Sequence, residues 1–390
     1  MLKNIFLRGI TALLGVGMMT CCDGTRSETK NPENLARGSV VPIDTITVKY
    51  SGVTLLAADW SGNKILYFDF FTPEIVISDL KGNILSQFNA GLLGMNDLGD
   101  HIYGAHFLDQ STVAIVTEKG YYITDLNGNV RQRYIHPFDL NVGVYMNGDF
   151  HLDYDSKHKS FVSLLKTTSL SSINRHDFYT ELRHLTVFNL DSNTYTFRIP
   201  YEQGSYYLNE KYFNNEFGPH FALHGDSVSV IYPLDPGVYT YSLNDYKLLR
   251  SFDTKPDSFR HVVKFPFGGG TIETKERLTG FANSVNYRLF SEGDTIINSY
   301  TSGIPSTFFE NVNDIEQYNA GSYKHLKYYL QMFVNGEKQI SDFELPKQFP
   351  MISLYKKGEM ILTEQEKWMP HSDGHKRFLY CRLTVEPAAY

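Results

Sequence analysis

Cysteine is almost absent from this chain. Its 390 residues hold three, two of them adjacent at Cys21 and Cys22 and one far downstream at Cys381. A lone downstream thiol cannot close an internal disulfide, so the fold must be held by its core alone. Tryptophan is scarcer still, with two residues against 27 tyrosines and 27 phenylalanines. Charge of one sign never accumulates, and the formal net charge of −7 is spread without blocks. Neutralising a phosphate backbone needs clustered Lys and Arg, so nucleic acid is not expected as a partner. The short catalytic and metal motifs are missing too. There is no G-x-S-x-G, no H-E-x-x-H and no C-x-x-C, and Gly268-Gly269-Gly270 lacks the Lys-Ser/Thr that would complete a phosphate loop. No cofactor and no metal are expected. Enzymes that assemble sites from scattered residues are not excluded by such absences. The apolar run 10–19 is too short to cross a bilayer as a permanent helix, which takes about 20 residues.

What that run does carry is a leader. Lys3 and Arg8 precede it, the Cys21–Cys22 pair ends it, and the chain then turns abruptly polar. A positive start, a short apolar core and an abrupt polar boundary describe a secretory signal peptide, with the Cys rather than an A-x-A site marking the processing point. With cysteine at the boundary, the segment resembles a bacterial lipoprotein signal, in which the Cys is acylated and becomes the new N-terminus. Here Met-Met-Thr precedes Cys21, and the alternatives are an ordinary signal peptide or a buried apolar segment. The resemblance implies a lipid-anchored protein of the cell envelope, periplasmic or on the outer-membrane surface, that meets the membrane through its lipid alone. Residues 1–22 are then signal and lipidation site. Residues 23–42, DGTRSETKNPENLARGSVVP, lack apolar periodicity and read as a disordered tether.

From residue 43 the chain is a run of short strands punctuated by Asp, Asn and Gly. One pattern recurs: an aromatic, apolar strand, a turn of the form Asp/Asn-Leu-x-Gly/Asn, then a more polar strand. It appears at 74–88, 120–134, 184–199 and 237–252, with a variant at 325–343. Asn-Gly and Gly-Asn supply the positive φ that tight hairpins need. Each of these hairpins follows another strand pair. Four antiparallel strands per unit, repeating at about 45–65 residues, is the signature of β-propeller blades. The last unit lacks one strand, and IDTITVKY (43–50) is available at the other end. Pairing it with 377–386 closes the ring and removes an open sheet edge. The expectation is a single all-β domain, 43–386, a β-propeller of six blades. A count of seven would need two inner strands from 302–325, a poor source of them.

The segment HFALHGDSVSVIYPLDPGVYTYSLNDYKLLRSF, IDTITV after the tether and the closing RFLYCRLTVE resemble a family of Bacteroidetes lipoproteins of unassigned activity with a TolB-like six-bladed β-propeller. The likeness is one of blade rhythm and turn residues across most of 43–386. It implies a fold and an envelope location, and no activity.

In a blade of strands A to D, counted outward from the axis, the A–B and C–D turns share one rim, and the B–C and D–A connections share the other. The long insertions all fall on the second: 166–183, 302–325, 367–376, 89–100, 136–144, 200–218 and 253–283. Loops gathered on one face of a rigid scaffold are where binding sites form. This rim is rich in Arg, His and aromatic residues, whose flat faces and polar tips suit recognition. The candidate ligand-binding residues are Arg175, His176 and Tyr179 in one insertion, Tyr206 and Tyr207 in another, His371 in a third, and His101 and His220 at the channel mouth. His371 and His375 with Asp373 lack a third well-spaced metal partner, and His220 and His224 stand roughly 13 Å apart on one strand, too far for one metal. Asp153-Tyr-Asp155 looks like half a calcium loop without its Gly and closing Glu. The reading that follows is a non-enzymatic, lipid-anchored binding module whose long-loop rim engages an envelope protein or a glycan. The alternative is a carbohydrate-active enzyme, a hydrolase or lyase, with its site at the channel mouth.

Overall fold

The Asp-Leu-x-Gly-Asn turns close on their own aspartates. In the computed structural model, the Asp79 carboxylate accepts from the backbone N–H of Lys81 at 2.8 Å and of Asn83 at 2.9 Å, and from Asn83 Nδ2 at 2.8 Å. Asp125 repeats this with Asn127 N, Asn129 N and Asn129 Nδ2 at 2.9, 3.0 and 2.9 Å. The glycine between them turns left-handed, with φ of +85° at Gly82 and +82° at Gly128. A Cβ on Gly128 would also meet the Phe88 ring at 2.4 Å, so this turn leans on the outer strand of the blade before it. The motif is therefore a turn specification written in sequence, and its recurrence sets the blade rhythm.

The structure describes residues 35–387 apart from 51, 70, 92–96, 100, 138–150, 166–177, 209–217, 261–282, 311, 313 and 365–373. Strand β1 (Arg37–Val48) opens the chain. Blade 1 follows as β2 (Val53–Asp59), β3 (Lys64–Asp69), β4 (Glu74–Asp79) and β5 (Ile84–Asn89). Blade 2 is β6 (Ile102–Phe107), β7 (Thr112–Thr117), β8 (Gly120–Asp125) and β9 (Val130–Ile135). Blade 3 is β10 (Leu152–Asp155), β11 (Ser160–Ser163), β12 (Leu185–Asn189) and β13 (Thr194–Arg198). Blade 4 is β14 (His220–His224), β15 (Ser227–Tyr232), β16 (Asp235–Ser242) and β17 (Leu248–Asp253). Blade 5 is β18 (Asn286–Glu292), β19 (Thr295–Thr301), β20 (Tyr328–Val334) and β21 (Glu337–Lys338), with β22 (Phe343–Glu344) also on β20. Blade 6 is β23 (Met351–Lys356), β24 (Glu359–Thr363) and β25 (Lys376–Glu386), completed by β1. The six-bladed propeller read from the sequence is the fold. The described residues of 302–325 hold two short helices, Ser306–Phe309 and Ile315–Gly321, rather than strands of a seventh blade.

Ring closure is longer than expected. β1 pairs with β25 from Arg37 opposite Glu386 to Val48 opposite Lys376, so it starts well before Ile43. The register slips between Pro42 and Asp44, where proline has no N–H to give the ladder. The segment 37–42 hides from a search for apolar periodicity because an outer strand keeps one face in water. Val41 is 49% exposed.

The middle strands bury both faces. In β3, Ile65 and Tyr67 pack toward blade 6 while Leu66 and Phe68 pack toward blade 2. Such strands read as continuous apolar runs for that reason. Six apolar clusters fill the six gaps between blades. The gap between blades 4 and 5 has the smallest of them, and a buried polar network supplements it. Asn298 Nδ2 donates to Asn286 Oδ1 at 3.1 Å and Gln331 Oε1 at 3.0 Å. Gln331 Nε2 donates to Thr254 O and the Asp342 carboxylate, on which Tyr300 Oη also donates at 2.6 Å. Asn286 Nδ2 reaches back to the carbonyls of Tyr232 and Asp235 in blade 4, both at 2.9 Å.

Candidate functional site

The inner strands β2, β6, β10, β14, β18 and β23 stand side by side around the propeller axis. Each runs from the rim of long connections to the rim of short turns. They enclose a cavity of about 400 Å³, within the size range of small-molecule sites. Its wall runs from His151 and His220, at the long-connection ends of β10 and β14, to the short-turn ends of the inner strands. Trp60, Phe107, His224, Glu292, Tyr355 and Lys356 line it, all at the last positions of inner strands or in the turns that follow. Leu164 is where its wall comes nearest the insertion 166–183.

Aromatic rings stand at its short-turn end. Trp60 lies 6.2 Å from Tyr380, and Phe290 lies 6.0 Å from Tyr355, both pairs tilted. Deeper in, three side chains converge. His151 and Asp153 are two apart in extended chain and so share a face, with His151 Nε2 3.1 Å from Asp153 Oδ2. His106 arrives from blade 2 and sets its Nδ1 3.3 Å from Asp153 Oδ1. The backbone N–H of Leu223, from blade 4, also points at Oδ2 at 3.4 Å. Burial would raise the Asp153 pKa, but the neighbouring His151 and His106 overcome it and hold the carboxyl far below the usual range. Each imidazole spends one ring nitrogen on the carboxylate and keeps the other. About a third of each His side chain is open to the cavity.

The remaining wall is rich in donors. His220 Nε2 donates to the Asn286 carbonyl at 3.0 Å. Burial, with the Arg288 charge beside it, pushes the His220 pKa down to about 3, so the ring is neutral at pH 7. Arg288 is half-buried in the same wall, and a guanidinium keeps its charge there. His224 Nδ1 accepts from the Gly293 N–H at 3.0 Å, so in the neutral ring the hydrogen sits on Nε2. Glu292 is engaged at the short-turn end, where its Oε2 accepts from the Lys357 N–H at 2.6 Å.

The sequence candidates disperse. His220 lines the cavity. His101 is exposed, its backbone N–H donating to Glu118 at 3.0 Å, and it does not line the cavity. Tyr179 and Tyr207 are buried between blades 3 and 4, where Tyr207 stacks on Tyr201 at 4.6 Å and its hydroxyl accepts from the Leu234 N–H at 3.0 Å. Tyr206 is half-buried against the same cluster. These rings anchor the described ends of two insertions. Arg175, His176 and His371 lie outside the described residues, as do the lipidation candidates Cys21 and Cys22. His106, His151 and Arg288 were missed by sequence reasoning. Asp153 was seen only as half a calcium loop. Its partner there, Asp155, instead holds an A–B turn, accepting from Lys157 N, His158 N and His158 Nδ1.

These features define a class, a closed six-bladed β-propeller with a ligand-sized cavity on its axis. No family model and no curated protein matches the chain. Among solved structures, it is similar to a member of the DUF4221 family from Bacteroides vulgatus. That likeness has 9% identity and a TM-score of 0.61 and covers 91% of this chain and 100% of the other. At that identity the likeness is one of fold. A protein of Bacteroides fragilis described as a candidate exported protein aligns with a TM-score of 0.47 at 9% identity, over 90% of this chain and 96% of its own. A luciferin-regenerating enzyme aligns at 0.44 and 8% identity, over 89% of this chain and 97% of its own.

Proposed function

We propose that this chain is a lipid-anchored propeller of the cell envelope that acts as a binding module for a glycan or a segment of an envelope protein. The ligand is received in the axial cavity, and the long-loop rim is a second contact surface. One observation carries the reading: aromatic rings and hydrogen-bonding groups from several blades converge on one open cavity. Flat apolar faces beside fixed polar groups are what sugar rings and peptide segments require. The leader with Cys21 and Cys22 supports the envelope location.

A glycan array and a pull-down of envelope proteins test this, each run with the purified protein and with Trp60→Ala and Tyr355→Ala variants. The expected result is a ligand whose capture falls at least tenfold in both variants. Capture indifferent to both rings, in both experiments, would overturn it.

The enzyme alternative keeps one specific support. An imidazole held by a carboxylate, as His106 is by Asp153, is a general-base arrangement. Hydrolysis by paired carboxylates is less well supported. Among the described lining residues, Asp153 is committed to two imidazoles and Glu292 to the Lys357 N–H.

A further inference from the structure

Asp153 decides which way the cavity's hydrogen bonds run. Its carboxylate has no proton to give, so both imidazoles donate to it, His106 through Nδ1–H to Oδ1 and His151 through Nε2–H to Oδ2. A neutral imidazole has one donor nitrogen and one acceptor nitrogen. His106 Nε2 and His151 Nδ1 are therefore left as acceptors, on rings that line the cavity with about a third of each exposed. At the short-turn end the polarity reverses. His224 accepts from the Gly293 N–H at Nδ1 and offers Nε2–H. Formal charge balances across the described wall, with Asp153 and Glu292 against Arg288 and Lys356, while burial keeps His220 neutral. Trp60 and Tyr355 add flat apolar faces.

We infer that the axial cavity selects an uncharged sugar ring whose hydroxyls donate to His106 Nε2 and His151 Nδ1. This rests on the binding-module reading and names its ligand class. A carboxylate or phosphate sets its own lone pairs against those of the two imidazoles, with the Asp153 charge behind them, and is disfavoured. An ammonium group can donate there, but the balanced wall holds no surplus negative charge to replace its hydration. A hydroxyl donates and accepts at once. One sugar ring can therefore donate to the imidazole pair and accept from His224. Asp153 is a positioning residue, because its charge fixes both tautomers and leaves both acceptors for the ligand.

Isothermal titration of the purified protein at about pH 8, above the imidazole range, tests this. The probes are glucose, galactose and mannose, each beside its C6 carboxylate and its 6-amino-6-deoxy form. At least one neutral hexose should bind at least about tenfold more tightly than both of its charged counterparts. The direction of the hydrogen bonds is read from deoxyfluoro versions of that hexose, since fluorine cannot donate. At least one of these should lose about tenfold or more in affinity. That difference should disappear in His106→Phe or in His151→Phe. Melting curves establish that each variant is folded, and the fluorosugar series on the native protein decides the direction if neither is. Equal affinity for the hexoses and their charged counterparts, or tighter binding of a charged form, would overturn the inference while leaving the binding module in place. So would a neutral hexose whose deoxyfluoro versions all bind as well as it does. Absence of binding by all of these sugars overturns the ligand class as stated, and the glycan array with Trp60→Ala and Tyr355→Ala then decides the module separately.

Discussion

Gly104 touches the backbone of His151 where no side chain would fit. A Cβ at this position would lie 2.8 Å from the His151 carbonyl carbon and from the Leu152 nitrogen. Inner strands β6 and β10 can approach closely there, and that approach sets His106 alongside Asp153 across the blade boundary. Gly104→Ala is expected to push the strands apart, costing about 1–3 kcal/mol by overpacking. Ligand binding by the channel should weaken together with it. Urea denaturation measures the first effect, and titration of the captured ligand measures the second.

His136 makes stability depend on pH. It is buried, its Nε2–H donates to the Thr117 carbonyl at 3.0 Å, and its Nδ1 accepts from Tyr195 Oη at 2.9 Å. Burial pushes its pKa down to about 4, below the unfolded value of about 6.5. The unfolded chain therefore binds the proton first. The contribution is fully present above about pH 6.5 and is lost as pH falls toward 4, by about 3 kcal/mol over that window. His136→Gln should be less stable than the native protein at pH 8 and lose less on acidification. Urea midpoints at pH 8, 6 and 4.5 give the comparison, and parallel pH profiles would count against it.

Asp342 ties together the polar network behind blade 5. It accepts from Tyr300 Oη, Gln331 Nε2 and the Asp257 N–H, and pairs with Lys338. Asp342→Ala leaves those partners unsatisfied and should cost about 3 kcal/mol. A Tyr300→Phe/Asp342→Ala double variant should cost less than the two single changes summed, because they share one network. Additive costs would show that the network is not cooperative.

Much of the architecture was legible because the turns carry their own instructions. Asp79 and Asp125 bond their own following residues, and Gly82 and Gly128 need no distant partner to turn left-handed. Local chemistry of that kind survives in the sequence. The cavity does not have it. His106 and Asp153 belong to different blades and meet only once the ring is built, and the one local sign was a glycine in the apolar strand IYGAHF. Tyr179 and Tyr207 illustrate the converse. A tyrosine committed to packing and one offered to a ligand look alike until their surroundings exist.

The closing strand is expected to control access to the one downstream thiol. Cys381 lies in β25, fully buried, and burial pushes its thiol up to about 12. β1 pairs directly across it, Pro42 opposite Cys381. A chain beginning at residue 35 should label at Cys381 as slowly as the full-length protein. A chain beginning at residue 51 should label many times faster or fail to stay soluble, since β25 then loses its outer partner. Equal labelling of two soluble chains would argue against closure by β1.

The account turns on the axial cavity as the binding site, and Trp60 in its wall reports on it directly. With Trp368→Phe, Trp60 is the only tryptophan left of the two in the chain. Its fluorescence should change saturably as the ligand from the glycan array or pull-down is titrated in, and Asp153→Asn should weaken that titration at least tenfold. A ligand that binds with full affinity while Trp60 emission stays constant and the Asp153 variant behaves as native would place binding elsewhere and contradict the account.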